Sequence, residues 1–523
     1  MDTSRYRKII YWLLPLLGIG FCLWYVKNAT CDVVYSDYIR LVNSYLPDVY
    51  DPGRFFVPDV LTRIPINYLC RIINVGLFGF SVTLERVLGV ISLGLAGWVF
   101  GIYCKNKRIG IGWFALLMAV MFSLNKWEML TNGSGWSHFF AFACFYYHEL
   151  VLDRVWAGEE KTRDRLKLLV LPWLIILGTA GPYCAIYAVT ILMSYAFCMI
   201  RGRMRENEWD MRYIAYMACI LVPLLLYILS NSFAVEEHAG ATGRSLMEIL
   251  SDHPAFPIRF LLKSFAGILV GGEELQELVR QGDITNRFIY IIGLFVVCGY
   301  LFAFWLNLRF RFYEKTLVPM MLLAGGGLNH ILIFISRYIF ESESYALSSR
   351  YALQFQVGIL GMVITFALAW NQGRKGYMRG NPGKDQGVCG NPGVSRHVCG
   401  NPGVSRHACG NPGVCRHAHG NPESAGGVRT ARGVFRRCLI AVFCLAILSG
   451  NGYTTYHEIK KAPHREGNFE KMAAMALQVP DMDQEELRAR DAELSGLFEY
   501  RKGVDKIQDA LRILKEHGWN VFR

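Results

Sequence analysis

The residues equipped for chemistry lie in three separate polar stretches. Between about 27 and 80, Asp32, Asp37, Asp48, Asp51 and Asp59 are interspersed with Arg40, Arg54 and Arg63 among Tyr and Phe. A second stretch, NKWEMLTNGSGWSH, supplies Lys126, Glu128, Asn132 and His138. A third, SRYIFESESYALSSRYALQ, supplies Arg337, Glu341, Glu343, Arg350 and Tyr351. An ionised carboxylate accepts protons, and a guanidinium either grips a phosphate by paired hydrogen bonds or snorkels its charge out of an apolar setting. From Asp37 to Leu46, the apolar Ile39, Leu41, Val42, Tyr45 and Leu46 recur at helical spacing. This predicts a short helix lying along a membrane interface, with Asp37 stabilised at its N-terminus; a solvated loop with a capping Asp fits the same letters. Glu128 also fits as a loop carboxylate paired with Lys126.

A second chemical candidate is the ten-residue repeat GNPGKDQGVC, GNPGVSRHVC, GNPGVSRHAC, GNPGVCRHAH, starting at Gly380, Gly390, Gly400 and Gly410, with a truncated unit at Gly420. Its Cys399, Cys409, Cys415, His397, His407, His417 and His419 are soft metal ligands, but most recur as pairs two apart once per ten residues, unlike the usual closely paired zinc ligands. Each unit has almost no apolar residue to repay the entropy of ordering. The predicted state is a disordered linker over 371–435 rather than a solenoid or metal site.

Elements must bring the three stretches together, and composition says which. The chain has 523 residues, 53% hydrophobic and only 19% charged, with a mean hydropathy of +0.25, which excludes an ordinary cytosolic enzyme. The net charge of +13 is scattered between apolar runs rather than concentrated on a polar face, so no nucleic-acid partner is expected. Apolar stretches near bilayer length occur at about 9–26, 81–103, 109–124, 137–152, as a pair within 168–200 turning at Gly178, Gly181 and Pro182, and at 213–231, 287–305, 317–335, 351–370 and 436–453, eleven spans in all. Basic connections fall at every second gap: Arg5, Arg7 and Lys8; Lys105, Lys107 and Arg108; 153–167; Arg201, Arg203 and Arg205; Arg309, Arg311 and Lys315; and 371–437. With Arg212 they hold 29 of the 55 basic and 11 of the 42 acidic residues, a net +18 that leaves −5 elsewhere. The positive-inside rule then puts the N-terminus in the cytoplasm and the C-terminus outside a multi-pass cell membrane protein. The first span could instead be a signal peptide, but it lacks a convincing small-residue cleavage site.

The parts follow: a transmembrane core over 1–370 with an external loop 27–80, the linker 371–435, a last span 436–455, and an external helical tail 456–523. In the tail Val504, Ile507, Leu511 and Leu514 line one helical face, with Gly518 as its stop. In the external segment 232–286, AFPIRFLLKSFAGILVGG is interrupted by Arg259 and Lys263 and predicts an interfacial or re-entrant helix. Ten of the fifteen cysteines sit in or beside spans, and Cys31 with Cys70 is the one pair placed for a disulfide.

The arrangement resembles the GT-C superfamily of polytopic glycosyltransferases, which use lipid-phosphate-linked sugars at the outer face. The likeness lies in a first span followed by a long external loop with an acid, where Ser36-Asp37-Tyr38-Ile39-Arg40 is similar to a D-x-x-R variant. It lies also in an acid in the next external loop (Glu128), an Arg-Tyr near the end of the core (Arg350-Tyr351), and a soluble domain after the last span. The chain departs from the family in lacking paired acids in the first loop, since Tyr38 follows Asp37. The resemblance implies an all-α, GT-C-like fold and a hexosyltransferase that moves a sugar from a polyprenyl-phosphate donor to a cell-envelope acceptor. Asp37 would be the general base and Glu128 a second acid, while Arg40, Arg350 and Tyr351 would hold the donor phosphate. No metal ligand set is assigned, and a divalent cation is compatible but not required. A transporter or flippase of lipid-linked or small polar substrates is the rival class, and a polymerase of lipid-linked oligosaccharides shares the same face and chemistry. The clearest mid-span polar group is His330, which reads as an interhelical hydrogen bond.

Overall fold

A bilayer leaves backbone amides no partner outside the chain, so apolar segments must satisfy them internally, and helices do so. The computed structural model describes residues 3–56, 64–179, 181–231, 242–378 and 422–523, and among them it is helical without strands. The repeat at 380–420, with its histidines and cysteines, lies outside the described residues, as do Asp59 and Arg63. Helix continues to Met378 on one side of the repeat and resumes at Pro422 on the other, so both flanks of the expected linker are helical.

Among the described residues, eight helices are long and apolar enough to cross a membrane: Ile9–Ala29, Val82–Asn106, Cys184–Arg205, Arg212–Ser230, Asn286–Arg309, Val318–Phe340, Ser349–Gln372 and Gly433–Asp481. The other three expected spans differ for identifiable reasons. Ile111–Met121 has 11 residues, about 16 Å of helix, and stops where Lys126 Nζ turns back to donate to Met121 O (2.9 Å) and Ser123 O (3.0 Å). Trp136–Trp156 has the length, at 21 residues, but carries His148, Glu149, Asp153 and Arg154. Asp164–Trp173 continues past Pro172 only as a π-helical turn, Leu174–Thr179, before the expected hairpin reverses near Gly181 (φ +51°).

By contact, the chain forms two compact units: Met1–Leu368 with Phe443–Arg523, and Ala369–Val442. In the second, the Arg437 guanidinium lies 5.8 Å from the Trp370 ring centre. In the first, side chains gather at two ends. At one, Tyr103 Oη meets Thr316 Oγ1 (2.8 Å), Asp153 accepts from Leu317 N (2.6 Å), Lys107 pairs with Asp153 (3.2 Å) and Arg201 with Glu314 (2.6 Å). At the other, Arg86 donates to Cys31 O (2.8 Å) and Thr131 O (2.6 Å), and Asn125 meets Asn451 (3.1 Å).

This second end carries a folded layer that the sequence presents as two remote pieces. The first loop and the tail share one apolar core: Ile39, Leu41 and Val42 pack with Phe469, Met472, Ile507, Leu511 and Leu514. The predicted tail helix is Val504–His517, with Gly518 at φ +63° as its C-cap. Ser36 N donates to Phe498 O (2.8 Å), Asn43 to Lys506 O (2.7 Å), and Asn520 binds Val34 N (3.0 Å) and Gly79 O (2.8 Å). The helix Asp37–Ser44 forms as expected, and the tail covers its apolar face. The loop helix with an open apolar stripe is Pro65–Phe78, where Leu69, Ile73 and Leu77 are 51, 53 and 70% exposed. Cys31 and Cys70 are both free thiols, and burial pushes both upward in pKa, Cys70 to about 12. The stretch around Arg259 and Lys263 is a 14-residue helix, Phe256–Leu269, tied down by Glu343 at 3.2 and 3.0 Å from those two cations.

Candidate functional site

Arg350 is the centre of the site. It sits in the one-turn 3-10 segment Ser349–Tyr351, which feeds directly into the buried helix Ala352–Met378, so its backbone is fixed by the bundle. Its Nε donates to Glu128 Oε1, joining the second and third polar stretches across 222 residues. Ser349 Oγ reaches both Glu128 Oε2 (3.1 Å) and Glu273 Oε1 (2.8 Å), and Trp127 Nε1 donates to Glu273 Oε2 (2.7 Å). Arg465, from the long helix, lies 3.1 Å from the Trp127 ring centre and pairs with Glu458 at 2.5 Å.

Asp37 enters from the tail-covered layer. Ser36 is held at φ +52° by its bond to Phe498 O, and that turn starts the helix at Asp37. The Asp37 and Glu499 carboxylates both act on the charge of Arg350, after Glu128. Arg40, one turn further on, shares the surroundings of Tyr500 with Asp37. Thus three of the expected residues, Asp37, Glu128 and Arg350, converge, with Arg40 beside Asp37. Tyr351 faces a different partner: its hydroxyl accepts from Arg337 Nε (2.5 Å), and the Arg337 guanidinium lies 5.5 Å from its ring centre. Lys126 is not the partner of Glu128, because it is buried against the carbonyls that end Ile111–Met121.

The Arg350 side chain is 47% exposed and that of Glu128 18%, yet the surrounding protein desolvates the charge of Arg350. Glu499 shows the same combination: it is exposed, while desolvation and then Glu128 push its carboxyl above the usual range, opposed by Arg350. Glu273 is raised by burial and by Glu128, against the hydrogen bonds from Ser349 and Trp127.

Glu273, Glu499, Tyr500, Trp127 and Arg465 were not foreseen. Glu273 begins the helix Gly272–Gln281 in a segment whose apolar run dominated its reading, and Gly272 leaves no room for a side chain against Leu347 O. Glu499 sits at φ +52° in a turn between two tail helices, and no local pattern signals that this turn folds back on Ser36. Among the described residues, no group of three or more His, Cys, Asp or Glu is arranged to hold a metal ion. No protein-family model matches the chain, and no curated protein or solved structure matches it.

Proposed function

We propose that this chain is a membrane glycosyltransferase that moves a sugar from a polyprenyl-phosphate donor to a cell-envelope acceptor at the outer face. The observation that carries the reading is the Glu128–Arg350 pair, with Arg350 half-exposed and Asp37 and Glu499 acting on the same guanidinium. Glu128 engages Arg350 through Nε, which leaves the two Nη groups for a donor phosphate. The acceptor hydroxyl attacks the anomeric carbon and gives its proton to Asp37. The bond from that carbon to the phosphate oxygen breaks, and its electron pair stays on the polyprenyl phosphate, whose growing charge Arg350 and Arg40 stabilise. Glu128 thus orients Arg350 rather than serving as a second acid, and Tyr351, engaged by Arg337, braces the turn that presents Arg350.

The proposed topology is GT-C-like, with eleven passes, a cytoplasmic N-terminus and an external tail. It is supported by the gathering of 103–107, 153–159, 201 and 313–317 at one end and the site at the other. A transport route needs ionisable groups along the membrane interior. His330, the clearest candidate, is instead held by Ser264 (2.7 Å) between Phe265 and Phe355, with ring centres at 3.8 and 4.3 Å. The test is transfer of labelled hexose from a panel of polyprenyl-phosphate hexoses into envelope material by membranes containing the chain. Transfer above control membranes is expected, together with its loss in Asp37→Ala at unchanged protein level; undiminished transfer by that variant rules out Asp37 as the base.

A further inference from the structure

Ser349 stands between two carboxyl groups. Its Oγ lies 3.1 Å from Glu128 Oε2 and 2.8 Å from Glu273 Oε1, and a serine hydroxyl has one hydrogen to give. With both carboxyls ionised, one of them faces the hydroxyl oxygen with no hydrogen between, and two negative charges compete for one donor. With one carboxyl protonated, that carboxyl donates to Ser349 Oγ, Ser349 donates to the other, and both contacts are hydrogen bonds.

The remaining partners decide which carboxyl keeps the proton. Glu128 Oε1 accepts from Arg350 Nε, and a carboxylate in contact with a guanidinium holds its charge. Glu273 Oε2 accepts from Trp127 Nε1 (2.7 Å), a neutral group that can only donate. That oxygen therefore carries no hydrogen, and the proton falls on Oε1, the atom that faces Ser349.

The charges around Glu273 agree with this assignment. Burial first, and Glu128 second, lift its carboxyl above the usual range. The ionised form is favoured by hydrogen bonds accepted from Ser349 and Trp127, by Arg465, and by the place of Glu273 in the first turn of Gly272–Gln281. Arg465 is already paired with Glu458 (2.5 Å), and the adjacent Glu274 has Lys461 and His457 as its own partners. Glu458 and Glu499 both feel a charge on Glu273 and repel it.

We propose that Glu273 is a positioning residue: it keeps one proton and starts a chain, Glu273 Oε1–H to Ser349 Oγ and Ser349 Oγ–H to Glu128 Oε2, that locks Glu128 on the Nε edge of Arg350. A neutral Glu273 adds no further negative charge beside Arg350, whose own charge stays available to a phosphate. The proton arrangement is a property of the chain itself, whereas its use toward a donor phosphate rests on the glycosyltransferase reading.

The test is an infrared pH titration of the full-length chain in detergent, read at the C=O stretch of protonated carboxyls, beside the binding of polyprenyl phosphate. Glu273→Gln should remove one such band, and in the parent that band should disappear only as pH rises above the ordinary glutamate value of 4.5. Ser349→Ala should move the band to higher frequency, because the carboxyl O–H loses its acceptor. The glutamine amide can accept from Trp127 and donate to Ser349 as the protonated acid does, but it cannot ionise. From below the midpoint of the band to above it, affinity for polyprenyl phosphate should therefore fall about tenfold more in the parent than in Glu273→Gln, the reciprocal of a shift of about one pKa unit. The second ionisation of the phosphate, near about pH 6, is common to both proteins. No band lost in Glu273→Gln, a band unmoved in Ser349→Ala, or the same fall in affinity in both proteins overturns the proposal. A band that behaves as expected, with no polyprenyl phosphate bound at any pH, upholds the proton arrangement and removes the glycosyltransferase reading instead.

Discussion

Arg350 shows how much of the site rests on the fork geometry of one side chain. A lysine at the same place keeps a charge but cannot bind Glu128 through one edge and a phosphate through the other. Arg350→Lys should therefore lower hexose transfer by roughly 10²-fold, in the range seen when one charge-stabilising donor is lost, with folding retained as judged by thermal unfolding. Glu499 supports a pH prediction. Its carboxyl is raised above 4.5 chiefly by desolvation, so the ionised form is disfavoured in the folded chain. The resulting penalty is absent below about pH 4.5 and grows as pH rises through the folded pKa. Glu499→Gln should be more heat-stable than the parent at neutral pH and indistinguishable from it near pH 4. Of the expected residues, Asp37, Glu128, Arg40 and Arg350 were visible in the letters because acids and arginines between apolar runs stand out. Glu273 and Glu499 were hidden because what makes them matter is the fold around them: one follows Gly272, which packs against the Leu347 carbonyl, and hydrogen-bonds with Trp127 and Ser349, and the other returns from 462 residues away.

At the scale of elements, periodicity identified the helices Asp37–Ser44 and Val504–His517, including the stop at Gly518. It could not say what each apolar face meets, since a stripe fit for a membrane interface is equally fit for a protein core. The two stripes cover each other, and the loop helix that keeps an open apolar stripe is Pro65–Phe78, with Leu69, Ile73 and Leu77 exposed. This mutual covering makes the tail part of the site rather than an appendage. Leu511, fully buried in the shared core, is the place to test it. Leu511→Ala should cost about 2–5 kcal/mol of stability in this layer. Limited proteolysis should then cut the tail and the first loop together, whereas cleavage of the tail alone would mean that the two fold independently.

For the whole molecule, hydropathy correctly found a helical membrane protein, and length and charge account for the difference between eleven expected spans and the eight that qualify on their own. Ile111–Met121 is too short, Trp136–Trp156 carries charge, and Asp164–Trp173 changes to a π-turn after Pro172, so none of the three qualifies as a span by its own length and composition. Alkaline phosphatase fused after Arg523 should be active and the same enzyme inserted after Asn207 inactive; equal activity at both would refute the proposed sidedness. The central claim is that Asp37 accepts the proton when a sugar leaves a polyprenyl phosphate. It is tested most directly by the rate of polyprenyl phosphate release from polyprenyl-phosphate hexoses, supplied with envelope acceptor, by the purified full-length chain and by Asp37→Asn of equal thermal stability. The expected result is release by the parent chain and a rate at least about 100-fold lower in the variant. Equal rates, or no release by the parent from any hexose tried, would contradict it.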